Sequence, residues 1–240
     1  MYEMTVRLRF SDMGVDGKLR PYVLPKIFQD CSIEHSEAVG VGMPYLSSRN
    51  LAWLLTSWQI DIERLPEYHE EVTIQTWPYE FRTAFGYRNY DMIDRNGNIL
   101  VKAYALWLHT DTSEMKPVHV TDEEAESYGL EPKLDMEYAP RKIDLPKEME
   151  AVDRLRVTSR YADMYQHMNN AVYVDVASDY LPTHGSIKRI RVDYRKQLKV
   201  GDITIIRKKI EGNVCYIAFF DETGVLHVGT EFVISNINNT

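Results

Sequence analysis

Two cysteines in 240 residues, Cys31 and Cys215, are too few for a disulfide framework and read as free thiols of a reducing compartment. No stretch approaches the roughly 20 apolar residues that span a bilayer. Met1 to Phe10 alternates charged and apolar residues where a signal peptide would carry an apolar run. A cytoplasmic location with no membrane partner is therefore expected. There is no Arg/Lys-rich tail, and the formal net charge of -8 argues against a nucleic-acid partner. A P-loop, a Rossmann fingerprint and a Gly-x-Ser-x-Gly elbow are all missing. His109 and His119 lack the paired spacing of a metal site, and His35 sits on a helical face that suits packing. Neither an organic cofactor nor a metal is expected.

What is present is an ordinary globular composition, 44% hydrophobic and 27% charged, organised by a repeat. Arg9-Phe10-Ser11-Asp12-Met13 reads like Arg160-Tyr161-Ala162-Asp163-Met164. A period this long predicts duplicated domains. In the first half, Pro21 to Val39 carries Leu24, Ile27, Phe28, Cys31, His35 and Ala38 at helical spacing. Ser57 to Glu63 and Glu70 to Trp77 read as strands, and Asp94 to Asn98 as a hairpin tip before Ala103 to Leu108. In the second half, Arg160 to Asp163 reads as a strand. A helix then starts near Asn169-Asn170 and stops before Pro182. Ile190 to Tyr194 and Gly201 to Ile206 follow as strands. Asp221 to Gly224 is the turn before Glu231 to Ile234. Thr121 followed by acidic residues marks a helix start between the halves, and Pro132, Pro140 and Pro146 break regular structure beyond it. The expectation is α+β: two domains, 1–132 and 133–240, each a helix along a curved antiparallel sheet.

These residues resemble the acyl-acyl-carrier-protein (acyl-ACP) thioesterases of plants and bacteria, which are tandem hotdog proteins. The resemblance rests on Arg9 to Asp12, Asp16 to Leu19, Phe28 to Cys31 and Trp53 to Ile60 in the first half. In the second it rests on Asp163 to Tyr173 and Val192 to Gln197. It implies hydrolysis of a fatty acyl-ACP thioester, with acyl carrier protein as partner and a free fatty acid released. The paired hotdog unit already lies within one chain, so a monomer or a homodimer is implied. The family pattern puts Asp163 and His167 at the catalytic Asp and His positions. Tyr165 stands where the family has Asn, Gln197 where many members have Glu, and Leu198 where plant members have Cys. A coenzyme A thioesterase and a non-catalytic acyl-binding protein are the alternatives.

The residue types suit the chemistry. A carboxylate or imidazole can activate water as a general base. Helix amides around Met168 to Asn170 could polarise the thioester oxygen. Asn169 is a helix cap or a catalytic group; Asp163 could instead be a turn residue. Gln197 does not titrate and can only orient. The first half lacks the His, its counterpart being Asp16 on the pentapeptide alignment. It is expected to supply an acyl pocket lined by Leu51, Trp53, Leu55 and Trp58, which could equally fill ordinary core. Nine Lys/Arg against Asp193 and Asp202 between Ser186 and Ile210, a local charge of +7, mark a docking surface for an acidic carrier. Lys188, Arg189, Arg191, Arg195 and Lys196 head that set; the alternative is a solvated sheet face.

Overall fold

In the computed structural model, which describes residues 1–235, each half opens on a strand that leads through a one-turn 3-10 helix towards an α-helix. The first half runs β1 (Tyr2–Arg7), a 3-10 turn (Phe10–Asp12), α1 (Val23–Ala38) and α2 (Met43–Ser48). The strands β2 (Leu51–Ile62), β3 (Glu71–Arg82), β4 (Phe85–Ile93), β5 (Ile99–Asp111) and β6 (Lys116–Pro117) follow, then α3 (Asp122–Tyr128). The second half runs β7 (Glu150–Arg156), a 3-10 turn (Ser159–Tyr161) and α4 (Asn170–Ser178). It ends with β8 (Ser186–Tyr194), β9 (Ile203–Glu211), β10 (Val214–Phe220) and β11 (Leu226–Ser235). The Arg-Tyr-Ala-Asp segment is thus a 3-10 turn, not the expected strand. The strand that precedes it, β7, hides its period among charged residues.

The chain divides into two units, residues 1–56 with 62–139 and residues 57–61 with 140–240. In the first, the strand order is β1-β3-β4-β5-β2, with β6 on β5. In the second, Ser57–Asp61 of β2 pairs with β8, and β11, β10, β9 and β7 follow. The observed β2 starts six residues before the predicted Ser57. Leu51 to Leu55 is apolar on both sides and so shows no alternation to read.

Helix α1 buries Leu24, Phe28, Cys31, Ser32 and His35 along one stripe, as its spacing predicts, whereas Ala38 is exposed at the last turn. Both cysteine thiols are fully buried, and burial pushes Cys31 up to about 12 and Cys215 up to about 11. They are packing groups, not nucleophiles. Thr121 and Glu124 form the reciprocal box that starts α3, each satisfying an amide of the other's end. The hairpin tips close as predicted. Asp94 accepts from the amides of Asn96 and Asn98, and Asp221 from those of Thr223 and Val225.

One core group works against the fold. Asp91 on β4 is 5% exposed, and its Oδ1 has no hydrogen-bond partner. Burial, then the charge of Glu3, pushes its carboxyl up to about 6, with Lys102 opposing. A carboxyl raised in the folded state contributes stability that is full below its ordinary value near 3.8 and is lost as pH rises through about 6. Asp91→Asn is therefore expected to gain about 1–3 kcal/mol at pH 7 and to flatten the fall between pH 4 and pH 6. Urea unfolding at several pH values measures this; an unchanged pH slope would refute it.

Candidate active site

The segment ahead of α4 is a closed turn. Asp163 N–H donates to His167 O at 2.8 Å and Gln166 N–H to Asp163 O at 3.1 Å. Asp163 Oδ1 accepts from the amides of Tyr165 (2.9 Å) and His167 (3.2 Å). The turn needs a left-handed residue, and Gln166 supplies it at φ 64°, an uncommon conformation for a side chain that is not glycine. Strain of this kind gathers at functional sites. Ala162 bridges Met168, and His167 bridges Lys199.

The structure thus brings Asp163 and His167 together through backbone amides. The carboxylate fastens the turn that presents the half-buried imidazole. The side chains of the other expected members are placed differently. Asn169 is the cap of α4, its Oδ1 accepting from Ala171 N–H at 2.9 Å. Tyr165 is 57% exposed, and Gln197 is also exposed. The amide donors shrink as well. Met168 N–H is committed to Leu198 O and Asn169 N–H to Tyr161 O, which leaves Asn170 N–H at the start of the helix. Tyr173 OH accepts from Leu198 N–H at 3.1 Å and so pins the turn that carries Gln197 and Lys199.

The first half repeats the backbone bonds of this frame in a register the pentapeptides hide, with Asp16 Oδ1 rather than a residue at the Asp163 position accepting from Lys18 N–H. Gly14 N–H donates to Lys18 O, Gly17 N–H to Gly14 O, Arg20 N–H to Asp12 O, and Met13 bridges Leu19. Each residue sits 149 positions before its equivalent in the second half, from Gly14 and Asp163 to Lys18 and His167. The pentapeptides lie 151 apart, so their alignment slips by two. The counterpart of His167 is Lys18, not Asp16; Asp16 matches Tyr165. The facing turns match too, with Glu67 opposite Lys18 as Lys199 is opposite His167. Gly17, whose φ of 75° marks the same left-handed position as Gln166, is the sequence sign of this register.

The expected pocket set splits. By the two-residue period of a strand, Leu51, Trp53 and Leu55 share one side of β2 and Trp58 faces the other. Trp58 is 2% exposed beside the fully buried Ile60 and belongs to the second unit's core. In the first unit, the Trp53 ring centre lies 4.7 Å from that of His109, tilted by 32°, and 6.1 Å from that of Phe81. The basic set is likewise partly committed. Arg189 Nε donates to Asp61 at 2.5 Å, Arg191 to Glu231 at 3.1 Å and Arg195 to Asp193 at 2.8 Å. Arg191 and Arg195 also hold the carbonyls of Pro140, Lys142 and Ile143. Asp61 and Glu231, distant in sequence, offset charges that the local count left open. Lys188, at a bulge of β8, Arg195 and Lys196 are the exposed members.

Asp163→Asn separates two roles for this carboxylate. The amide keeps an oxygen for Tyr165 and His167 N–H but cannot act as a base. A fastening role predicts activity within about tenfold of wild type for Asn and a loss of about 1–3 kcal/mol of stability for Ala. Equal, severe loss of rate in both, with stability intact, would make Asp163 the chemical group.

A helix against a curved antiparallel sheet, made twice in one chain with 16 residues in α1 and 9 in α4, is the arrangement of a tandem hotdog protein. Two family models match, the acyl-ACP thioesterase N-terminal domain over residues 1–128 and the C-terminal domain over residues 146–232. The chain belongs to the acyl-ACP thioesterase family. It is 24% identical to a chloroplastic acyl-[acyl-carrier-protein] hydrolase of Cuphea viscosissima over 82% of this chain and 52% of that protein. It spans about half the length of such curated relatives. An acyl-ACP thioesterase of Bacteroides thetaiotaomicron has the same fold, with TM-score 0.90, 19% identity and 97% of each chain covered. So does a 12:0-ACP thioesterase of Umbellularia californica, with TM-score 0.85, 18% identity and 97% and 96% covered.

Proposed function

We propose that the chain hydrolyses the thioester of fatty acyl-ACP. The observation that carries this reading is His167, held half-buried by the Asp163 turn at the mouth of α4 in a chain matched by both family models. In this mechanism the imidazole takes a proton from water as the water oxygen attacks the thioester carbon. The Asn170 amide and the positive end of α4 stabilise the developing oxyanion. The carbon–sulfur bond then breaks, and the proton passes to the carrier's thiolate, releasing free fatty acid and carrier thiol. The exposed Lys188, Arg195 and Lys196 are the candidates to meet an acidic carrier, and Trp53 and Leu55 those for contact with the acyl chain. A cytoplasmic location belongs to the same reading, on the two-cysteine composition.

Hydrolysis rates for a series of acyl-ACP chain lengths, beside the matching acyl-CoA esters, test this. Hydrolysis of acyl-ACP with the higher kcat/KM is expected. Preference for the CoA ester would shift the carrier assignment, and no hydrolysis of either would leave a binding protein.

A further inference from the structure

The stretch that follows the first unit is strapped onto the outer sheet face of the second. Arg191 and Arg195 hold its carbonyls, Ile143 is 1% exposed beneath it, and a Cβ on Gly229 would lie 3.4 Å from Leu145. Between strap and sheet lies a cavity of about 380 Å³, continuous through Lys147, Met149 and Arg207 with a wider neighbouring one. Its volume falls within the range of small-molecule sites.

The lining has an unbalanced charge. Lys142, Lys147, Arg195 and Arg207 face Asp144 in the smaller cavity, and the wider one adds Lys208 and Lys209 against Glu148 and Glu150. Arg195 is already paired with Asp193. Among the described residues, no carboxylate lies within ion-pair distance of Lys142, Lys147 or Arg207. Arg207 is the unusual member. Its guanidinium lies 5.0 Å from the centre of the Phe220 ring, and its Nε is buried without a hydrogen-bond acceptor. A buried cationic donor left so is costly. A guanidinium can grip carboxylate or phosphate with two parallel N–H bonds. Beside it, Phe220, Leu226 and Met149 offer apolar surface.

We propose that this cavity binds a small organic anion, its head on Arg207 with Lys142 and Lys147 and its apolar body against Phe220 and Leu226. The site is independent of the hydrolase reading, since none of its residues belongs to the turn at His167.

The probes are decanoate and inorganic phosphate, followed through the amide NMR shifts of Met149, Arg207 and Phe220 in the whole chain. Mapping by residue keeps this site apart from any product pocket, and a protein that hydrolyses nothing would still show the shifts. Saturable decanoate shifts at these amides are expected. Affinity should fall about tenfold or more in Arg207→Gln and about threefold in Lys147→Gln, an exposed position whose exchange spares the fold. Phosphate should shift the same amides at higher concentration. Absence of saturable decanoate shifts, or wild-type affinity in both variants, would overturn the proposal. Phosphate binding as tightly as decanoate would overturn its apolar half.

Discussion

His167→Ala is expected to lower hydrolysis of acyl-ACP by about 10²–10⁴-fold with stability changed by no more than about 0.5 kcal/mol. The separation of the two effects follows from how the residue is held. Its amide donates to Asp163 Oδ1 and its carbonyl accepts from Asp163 N–H, and alanine keeps both groups. What alanine removes is the imidazole, the group in this turn able to act as a general base on water. His167→Lys makes a sharper version, because the first half accommodates Lys18 in the same frame. That variant should fold as wild type does and hydrolyse as poorly as the alanine one. Rates equal to wild type in both would end the assignment of His167.

Phe219→Ala should cost about 3–5 kcal/mol in urea unfolding, the usual range for truncating a fully buried ring. Phe219 is 0% exposed on β10 and meets Tyr173 edge-on at 5.2 Å. Tyr173 in turn accepts from Leu198 N–H, so the cavity opens beneath the turn that faces His167. Activity should therefore fall in the fraction that stays folded. Phe219→Leu, which fills most of the volume, should cost only about 1 kcal/mol. A cost below about 1 kcal/mol for the alanine variant would show that the surrounding side chains collapse into the space.

The starts of α3 and α4 are legible because their signals are chemical, whereas α1 shows only in its apolar spacing and α2 not at all. Thr121 with Glu124, and Asn169 ahead of an apolar run, satisfy amides through side chains that can be read from sequence. The hairpins were legible for the same reason, in Asp94 and Asp221. The first stretch of β2 was not, because apolar residues on both sides leave no alternation. The duplication was visible, but its register was not. Likeness of five residues outweighed the turn geometry, and only backbone hydrogen bonds pair Lys18 with His167. The docking set was overcounted because the carboxylates that offset Arg189 and Arg191 come from Asp61 and Glu231. Asp163 and His167 were identified as a pair, yet their meeting through amides rather than ring to carboxylate needed coordinates.

The matched turns have an evolutionary reading. After a duplication, two copies of a scaffold begin with the same chemistry and are free to part. Here the peptide groups of both turns keep the same bonds while all five side chains differ, Gly14 to Lys18 against Asp163 to His167, so the copies diverged in side chains on a shared backbone mount. Lys18 and His167 are alternative tenants of one socket. A lineage could gain or lose the imidazole there without rebuilding a strand or a helix.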